Sequence, residues 1–272
     1  MANATTSFLF LINLLFIFLF ISGFVDSRHA GRTPQRHNNN LIVGGTETDI
    51  SKVPYQAALL LKSYYFCGGV IISEKFILSG AHCIVFFYHR FGTEQNLFVR
   101  VGSNYTTTGG SLVKVKNSTC HDDFNFDTYD YDICLLELEE PLKFNENIQP
   151  VELAEEEPKG GEIGIVAGWG TLSENGQNPE HLQSVLIPVT NKTDCFKAYE
   201  IISPITDRMI CAGLEGKDSC QGDSGGGLVV DNKLVGIIST GFGCGVKDFP
   251  GVYTSIAHPE IKKFVKETTR DV

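Results

Sequence analysis

The sequence predicts an all-β fold, and three observations carry the prediction. From Leu41 onward the chain breaks into short apolar or alternating runs, the segments between them carry Gly, Pro, Asn and Asp, and only one stretch has a helical period. Many strand-length runs with turn signals between them describe a sandwich or barrel. The first run is residues 55–61, an almost continuous apolar stretch after Pro54. Residues 69–72 and 76–78 follow, and then 97–101, which alternates and ends at Gly102. Residues 112–115 come after Gly109-Gly110, and 133–138 after Asp132. The second half holds 163–167 after Gly160-Gly161, then 182–189, then 228–230 and 234–239 around Asp231-Asn232, and finally 251–253 after Pro250. The tail is the helical stretch: Pro259 falls in its first turn, and Ile261, Phe264 and Val265 share one face. An acidic stretch with Pro and Gly, residues 154–161, is the expected joint between two halves.

Composition narrows the class of partner. The chain has 272 residues, 42% of them hydrophobic, which is enough for an ordinary globular core. Against 32 Asp and Glu stand 22 Lys and Arg, for a net charge of -10. Nucleic acid and anionic membrane surfaces need clustered cations, so neither is an expected partner. An acidic surface fits solubility and basic substrates.

Residues 8–25 form an apolar run broken only by Asn13, Ser22 and Gly23, and ending in Val25-Asp26-Ser27. This resembles a secretory signal peptide over 1–27, although no Lys or Arg precedes the run. The run is also long enough to span a bilayer, so an uncleaved anchor is the alternative. Residues 28–41 carry Arg28, Arg32, Arg36 and three Asn with no apolar period, as a propeptide would. Eight cysteines, Cys67, Cys83, Cys120, Cys134, Cys195, Cys211, Cys220 and Cys244, all lie beyond these segments. An even count in a chain with a secretory leader predicts four disulfides and an extracellular, oxidising destination. No pair has zinc-site spacing, so no metal is expected on them.

Three short motifs carry chemistry. They are Leu78-Ser79-Gly80-Ala81-His82-Cys83, Asp132-Ile133-Cys134-Leu135-Leu136 and Gly222-Asp223-Ser224-Gly225-Gly226. Glycines on both sides of a serine suit a nucleophile on a sharply bent backbone that a substrate must approach closely. A serine hydroxyl is a poor nucleophile near neutrality, and an imidazole titrating near pH 6.5 is a competent base for it.

Taken together, and in the order His, Asp, Ser, these motifs resemble the chymotrypsin-trypsin family of serine proteases, in the trypsin type and with the texture of invertebrate trypsins. The resemblance runs from Ile42 to about Val265. It implies two packed six-stranded antiparallel β-barrels with a C-terminal helix. The first barrel would cover about 42–153, the second about 162–257 and the helix about 258–270, all within a peptidase domain of 42–272. It implies His82, Asp132 and Ser224 as catalytic residues, and the N–H groups of Gly222 and Ser224 as an oxyanion hole. Asp218, six residues before Ser224, would select Lys or Arg, with Ser219, Ser239, Gly241 and Gly251 completing the substrate pocket. Ile42 would become a new N-terminus on activation, its amine pairing with Asp223.

The same resemblance implies disulfides Cys67–Cys83, Cys195–Cys211 and Cys220–Cys244, and it leaves Cys120 and Cys134 on adjacent strands as a fourth pair. The chain also departs from the family in places. Thr240 stands where the pocket wall usually has Trp, so a weaker preference for bulky side chains further along the substrate is expected. Leu41 precedes Ile42 where trypsinogens carry Lys or Arg, so the expected activator is a chymotrypsin-like or elastase-like protease. Tyr65 and Ala58 replace a His and a Ser that restrain Asp223 in related precursors. The 102–112 segment has no carboxylate, so no calcium is expected there. Asn104, Asn117 and Asn191 open sequons for glycosylation. The expected partners are protein or peptide substrates, protein inhibitors and an activating protease; the expected state is a monomer without cofactors. The alternative is an inert protease-like binding protein, against which the three intact motifs speak.

Overall fold

The structure, a computed structural model, describes residues 43–91 and 96–270, with the backbone alone for 87–91. The expected signal peptide, propeptide, Leu41 and Ile42 lie outside the described residues. Fourteen strands are present among those described. They are β1 (Thr46–Glu47), β2 (Gln56–Leu61), β3 (Tyr64–Ile71), β4 (Phe76–Ser79), β5 (Leu97–Val101), β6 (Ser111–Cys120) and β7 (Cys134–Leu138), then β8 (Glu152–Leu153), β9 (Ile163–Gly168), β10 (Gln183–Thr190), β11 (Met209–Ala212), β12 (Gly227–Val230), β13 (Lys233–Thr240) and β14 (Gly251–Ser255). Three α-helices and a short 3-10 helix, Ile50–Lys52, accompany them; the α-helices are α1 (Ala81–Phe91), α2 (Lys192–Tyr199) and α3 (Pro259–Arg270).

The strands close into two six-stranded antiparallel barrels, ordered β2-β3-β4-β7-β6-β5 and β9-β10-β11-β14-β13-β12. Closure leaves no edge strands in either barrel. Two short strands from the segment expected in the first barrel pair instead with the second, β1 on β10 and β8 in parallel on β13.

Neighbouring residues of one strand serve different cores. Leu59 faces the interior of the first barrel with Ile71, Ile77 and Leu136, whereas Leu60 joins Leu78, Trp169, Val229 and Leu234 in a core between the barrels. Both faces of β2 are therefore covered, which is why its sequence is continuously apolar. Val166, Ile187, Leu228 and Tyr253 fill the second barrel. Helix α3 buries Ile261 and Val265 in the inter-barrel core, as the apolar spacing of the tail predicts.

Two helices and one core strand were not expected. Helix α1 is built of aromatic and β-branched residues with weak helix propensity, so its local signal is absent. Helix α2 has a legible start, since Asn191 accepts the N–H of Asp194 as its N-cap. Strand β11 is a four-residue, fully buried run, too short for a periodicity to emerge. No helix among the described residues is long and apolar enough to cross a membrane.

Candidate active site

His82 is the second residue of α1, and Asp132 stands at the entry to β7, fully buried. One oxygen of Asp132 accepts the backbone N–H of His82 at 2.8 Å, and the other lies 2.7 Å from the imidazole Nδ1. The carboxylate therefore caps the first turn of α1 and orients the ring through the same residue. A proton held on Nδ1 by the carboxylate leaves Nε2 free to accept one. Gly80 is required just before, because a Cβ there would stand 2.8 Å from the imidazole Nδ1.

The second barrel completes the cage around Asp132. The register of β13 against β14 passes from Ile238↔Tyr253 to Thr240↔Val252, so Ser239 is the extra residue of a bulge. Its hydroxyl turns to Asp132 and donates at 2.5 Å, while Thr254 donates to the Asp132 carbonyl at 2.8 Å. Ser239 was expected in the substrate pocket; it does line the cavity described below and also supports the carboxylate.

Ser224 sits in the turn that leads into β12. Gly222 and Gly225 on either side have φ of 99° and 80°, a region that glycine adopts without strain. The carbonyl of Ser224 accepts the N–H of Gly68 from β3 at 2.8 Å. It also contacts Cys83 Sγ at 3.7 Å, and that sulfur lies 3.5 Å from His82 Nε2. The serine and the imidazole thus flank the Cys67–Cys83 bridge. Among the described residues no hydrogen bond joins Ser224 Oγ to Nε2, an arrangement common before substrate tightens a site. The N–H groups of Gly222 and Ser224 have no acceptor among the described residues.

Asp223 is fully buried and accepts N–H groups from Gly170 at 2.8 Å and Cys220 at 3.0 Å. Burial pushes its carboxyl up to about 6. Neither Gly168 nor Gly170 has room for a Cβ beside that carboxylate. These two glycines were missed in the sequence because the group they accommodate lies more than 50 positions away.

A cavity of about 190 Å³ opens beside Ser224, lined among others by Asp218, Ser219, Thr240, Gly241 and Gly251. Asp218 is only 2% exposed. It accepts the N–H groups of Ser219 at 2.8 Å and Gly245 at 3.0 Å, and burial pushes it up to about 7. Its hydrogen bonds come from Ser219 and Gly245, and among the described residues no cationic side chain pairs with it. A Cβ on Gly251 would stand 2.6 Å from its Oδ1, whereas one on Gly241 would meet nothing nearer than 3.7 Å. The first glycine makes way for the carboxylate, and the second keeps the cavity wall open.

Other rim groups were not anticipated. Glu174 adds an exposed carboxylate to the cavity lining. Phe242, 51% exposed, packs on Phe249 at 4.9 Å, two residues past Thr240. The chain's single Trp, Trp169, is buried between the barrels and donates to the Asn104 carbonyl at 2.9 Å.

All four expected cysteine pairs are bonded: Cys67–Cys83, Cys120–Cys134, Cys195–Cys211 and Cys220–Cys244. The first ties the His82 turn to β3, and the last braces the cavity. Cys67, His82 and Cys83 gather closely, but the two sulfurs are bonded to each other and offer no thiolate to a metal.

Closed double barrels with a carboxylate-bound histidine from one and a glycine-flanked serine from the other define the class of two-barrel serine endopeptidases. Within that class the family model described as Trypsin matches residues 42–265, and the chain belongs to the trypsin family. It is 40% identical over 233 residues to Trypsin 5G1 of Aedes aegypti, covering 84% of this chain and 85% of that one. To the trypsin of Simulium vittatum it is 42% identical over 230 residues, covering 81% and 91%. A vitellin-degrading protease of Bombyx mori matches at 40% over 220 residues, covering 79% and 81%. Among solved structures, mouse neuropsin, a serine protease expressed in the limbic system of the brain, superposes with a TM-score of 0.75 at 33% identity. That match covers 83% of this chain and 98% of neuropsin.

Proposed function

We propose that this trypsin-like serine endopeptidase is a secreted zymogen that, once cut before Ile42, hydrolyses peptide bonds after Lys or Arg. The single observation carrying the specificity is Asp218, a carboxylate buried in the wall of the cavity beside Ser224 with no cationic partner among the described residues. A buried carboxylate without a counter-charge is unfavourable, and a substrate guanidinium or ammonium entering the cavity would supply one. An apolar side chain would leave it unpaired.

In the proposed reaction Ser224 Oγ bonds to the scissile carbonyl carbon while His82 Nε2 takes its proton. The carbonyl electrons move onto oxygen, where the free N–H groups of Gly222 and Ser224 receive the charge. Collapse expels the amine, protonated by His82, and leaves an ester on Ser224. Water, deprotonated by the same imidazole, then releases the acid and restores the hydroxyl. Asp132 holds the ring through both steps.

Activation is supported by the seat of Val43. Its carbonyl accepts the Asp218 N–H at 3.2 Å, and a Cβ on the adjoining Gly44 would collide with Gly216 and Lys217. A chain end released at Ile42 would therefore start one residue from the specificity segment. The amine is proposed to pair with Asp223, which is a fully buried carboxylate. Secretion accords with the four disulfides and the apolar leader. Asn117 and Asn191 are exposed and Asn104 is half-buried, and Asn117 is the proposed principal glycan site because the amides of the other two are engaged. Both amide atoms of Asn104 are hydrogen-bonded, to Ile50 and Asp49, and those of Asn191 cap α2.

The test compares protein cut before Ile42 with uncut protein on an Arg ester and on a mixed peptide library. Only the cut form should turn over, with cleavage after Lys and Arg, and Ser224→Ala should lower kcat by about 10⁶. Equal activity of cut and uncut protein would refute the zymogen, and cleavage sites indifferent to Lys and Arg would refute the specificity.

A further inference from the structure

Strand β3 of the first barrel reaches across to the nucleophile turn of the second at two points. Gly68 N–H holds the Ser224 carbonyl, and three residues earlier the Tyr65 hydroxyl donates to the Gly222 carbonyl at 2.5 Å. The Tyr65 ring is fixed in turn, edge to face on the buried Trp169 with centroids 5.9 Å apart. Asn178 donates to the Trp169 carbonyl at 2.7 Å and packs beside Gly222, as do Gly170 and the edge of Tyr65. Gly222 is thus enclosed on three sides.

The consequence lies in peptide geometry. Gly222 is the most permissive residue of the turn, at φ 99°, and its two flanking peptide planes can rotate at little intrinsic cost. The Gly222 carbonyl shares its peptide plane with the Asp223 N–H, which donates to the Cys220 carbonyl at 2.9 Å; the Gly222 N–H lies in the plane before and the Ser224 N–H in the plane after, so pinning the middle plane limits the rotation of both. The Tyr65 and Gly68 contacts hold the carbonyls of residues 222 and 224, and the N–H groups of the same residues carry no acceptor among the described residues. We propose that Tyr65 is a positioning residue for the oxyanion donors: its hydroxyl holds the Gly222 carbonyl so that the two N–H groups stay turned toward the substrate. Burial, aided by the charge of Asp223, pushes its phenol well above the usual tyrosine range, so it remains a donor through neutral pH. The role rests on the reading of Ser224 as nucleophile.

The experiment uses Tyr65→Phe in protein cut before Ile42, which keeps the ring on Trp169 and removes one oxygen. Two inhibitors separate the sites. A peptide boronic acid ending in Arg bonds to the serine oxygen and places a boron-bound oxygen among the oxyanion donors; benzamidine fills only the specificity cavity. For Tyr65→Phe we expect kcat on an Arg amide and boronate affinity each to fall about tenfold, the loss of one well-placed hydrogen bond. KM and benzamidine affinity should stay within about twofold, a difference too small to count as a lost contact. An unchanged kcat would overturn the proposal, as would boronate and benzamidine affinities falling together, since that marks a general loosening of the turn. Failure of the unsubstituted enzyme to bind boronate while it binds benzamidine would instead overturn the reading of Ser224.

Discussion

At Asp218 the chemistry of one carboxyl sets a pH dependence. Its ordinary value of 3.8 is raised to about 7 by burial, so the free enzyme holds a proton there through the mildly acidic range. That proton competes with a bound cation. Benzamidine affinity should therefore rise about tenfold per pH unit between about pH 5 and 7 and level off above, because binding requires the ionised form. Folding carries the opposite sign: this group's contribution is complete below the ordinary value of 3.8 and is lost progressively as pH rises toward and through about 7. Calorimetric titration across that range is the check, and affinity independent of pH would mean that Asp218 is already ionised. At this scale the sequence was legible wherever a role depends on neighbours in the chain. His82, Asp132, Ser224 and Asp218 all stood in recognisable motifs. Gly168, Gly170, the second task of Ser239 and the hold of Tyr65 on Gly222 were not readable, because each acts on a group more than 50 positions away.

Among the elements, the segment after β5 is organised by a side chain. The Arg100 guanidinium donates to the carbonyls of Thr106 at 2.9 Å, Gly109 at 2.5 Å and Thr107 at 3.2 Å, and Ser103 takes that of Thr108 at 2.6 Å. The carbonyls that a loop of this kind could offer to a metal are thus already turned toward a built-in cation. Arg100→Leu should lower Tm by about 2–12 °C, since partly exposed charged hydrogen bonds total about 1–3 kcal/mol and a domain of this size loses about 2–4 °C per kcal/mol. Calcium and chelator should each move the unsubstituted Tm by less than about 1 °C, as expected without a bound ion. A calcium-dependent rise of several degrees in a scanning calorimeter would contradict this. Most strands were legible from turn signals. Helix α1 was not, because its cap is Asp132, 50 residues downstream of His82.

For the whole molecule, the sequence motifs and the barrels carry different parts of the function. The strand count indicates an all-β chain, yet nothing local indicates that the two barrels share a core through Leu60, Trp169 and Leu234. That core seats the His82 turn and the Ser224 turn on opposite barrels and joins them through Gly68, Tyr65 and Ser239. This junction should make one serine reactive among all those in the chain. Treating protein cut before Ile42 with a fluorophosphonate, followed by peptide mapping, tests it directly. One adduct per molecule is expected, on Ser224, and none after His82→Ala. Labelling spread over other serines, or a fully cut protein that takes no label, would contradict it.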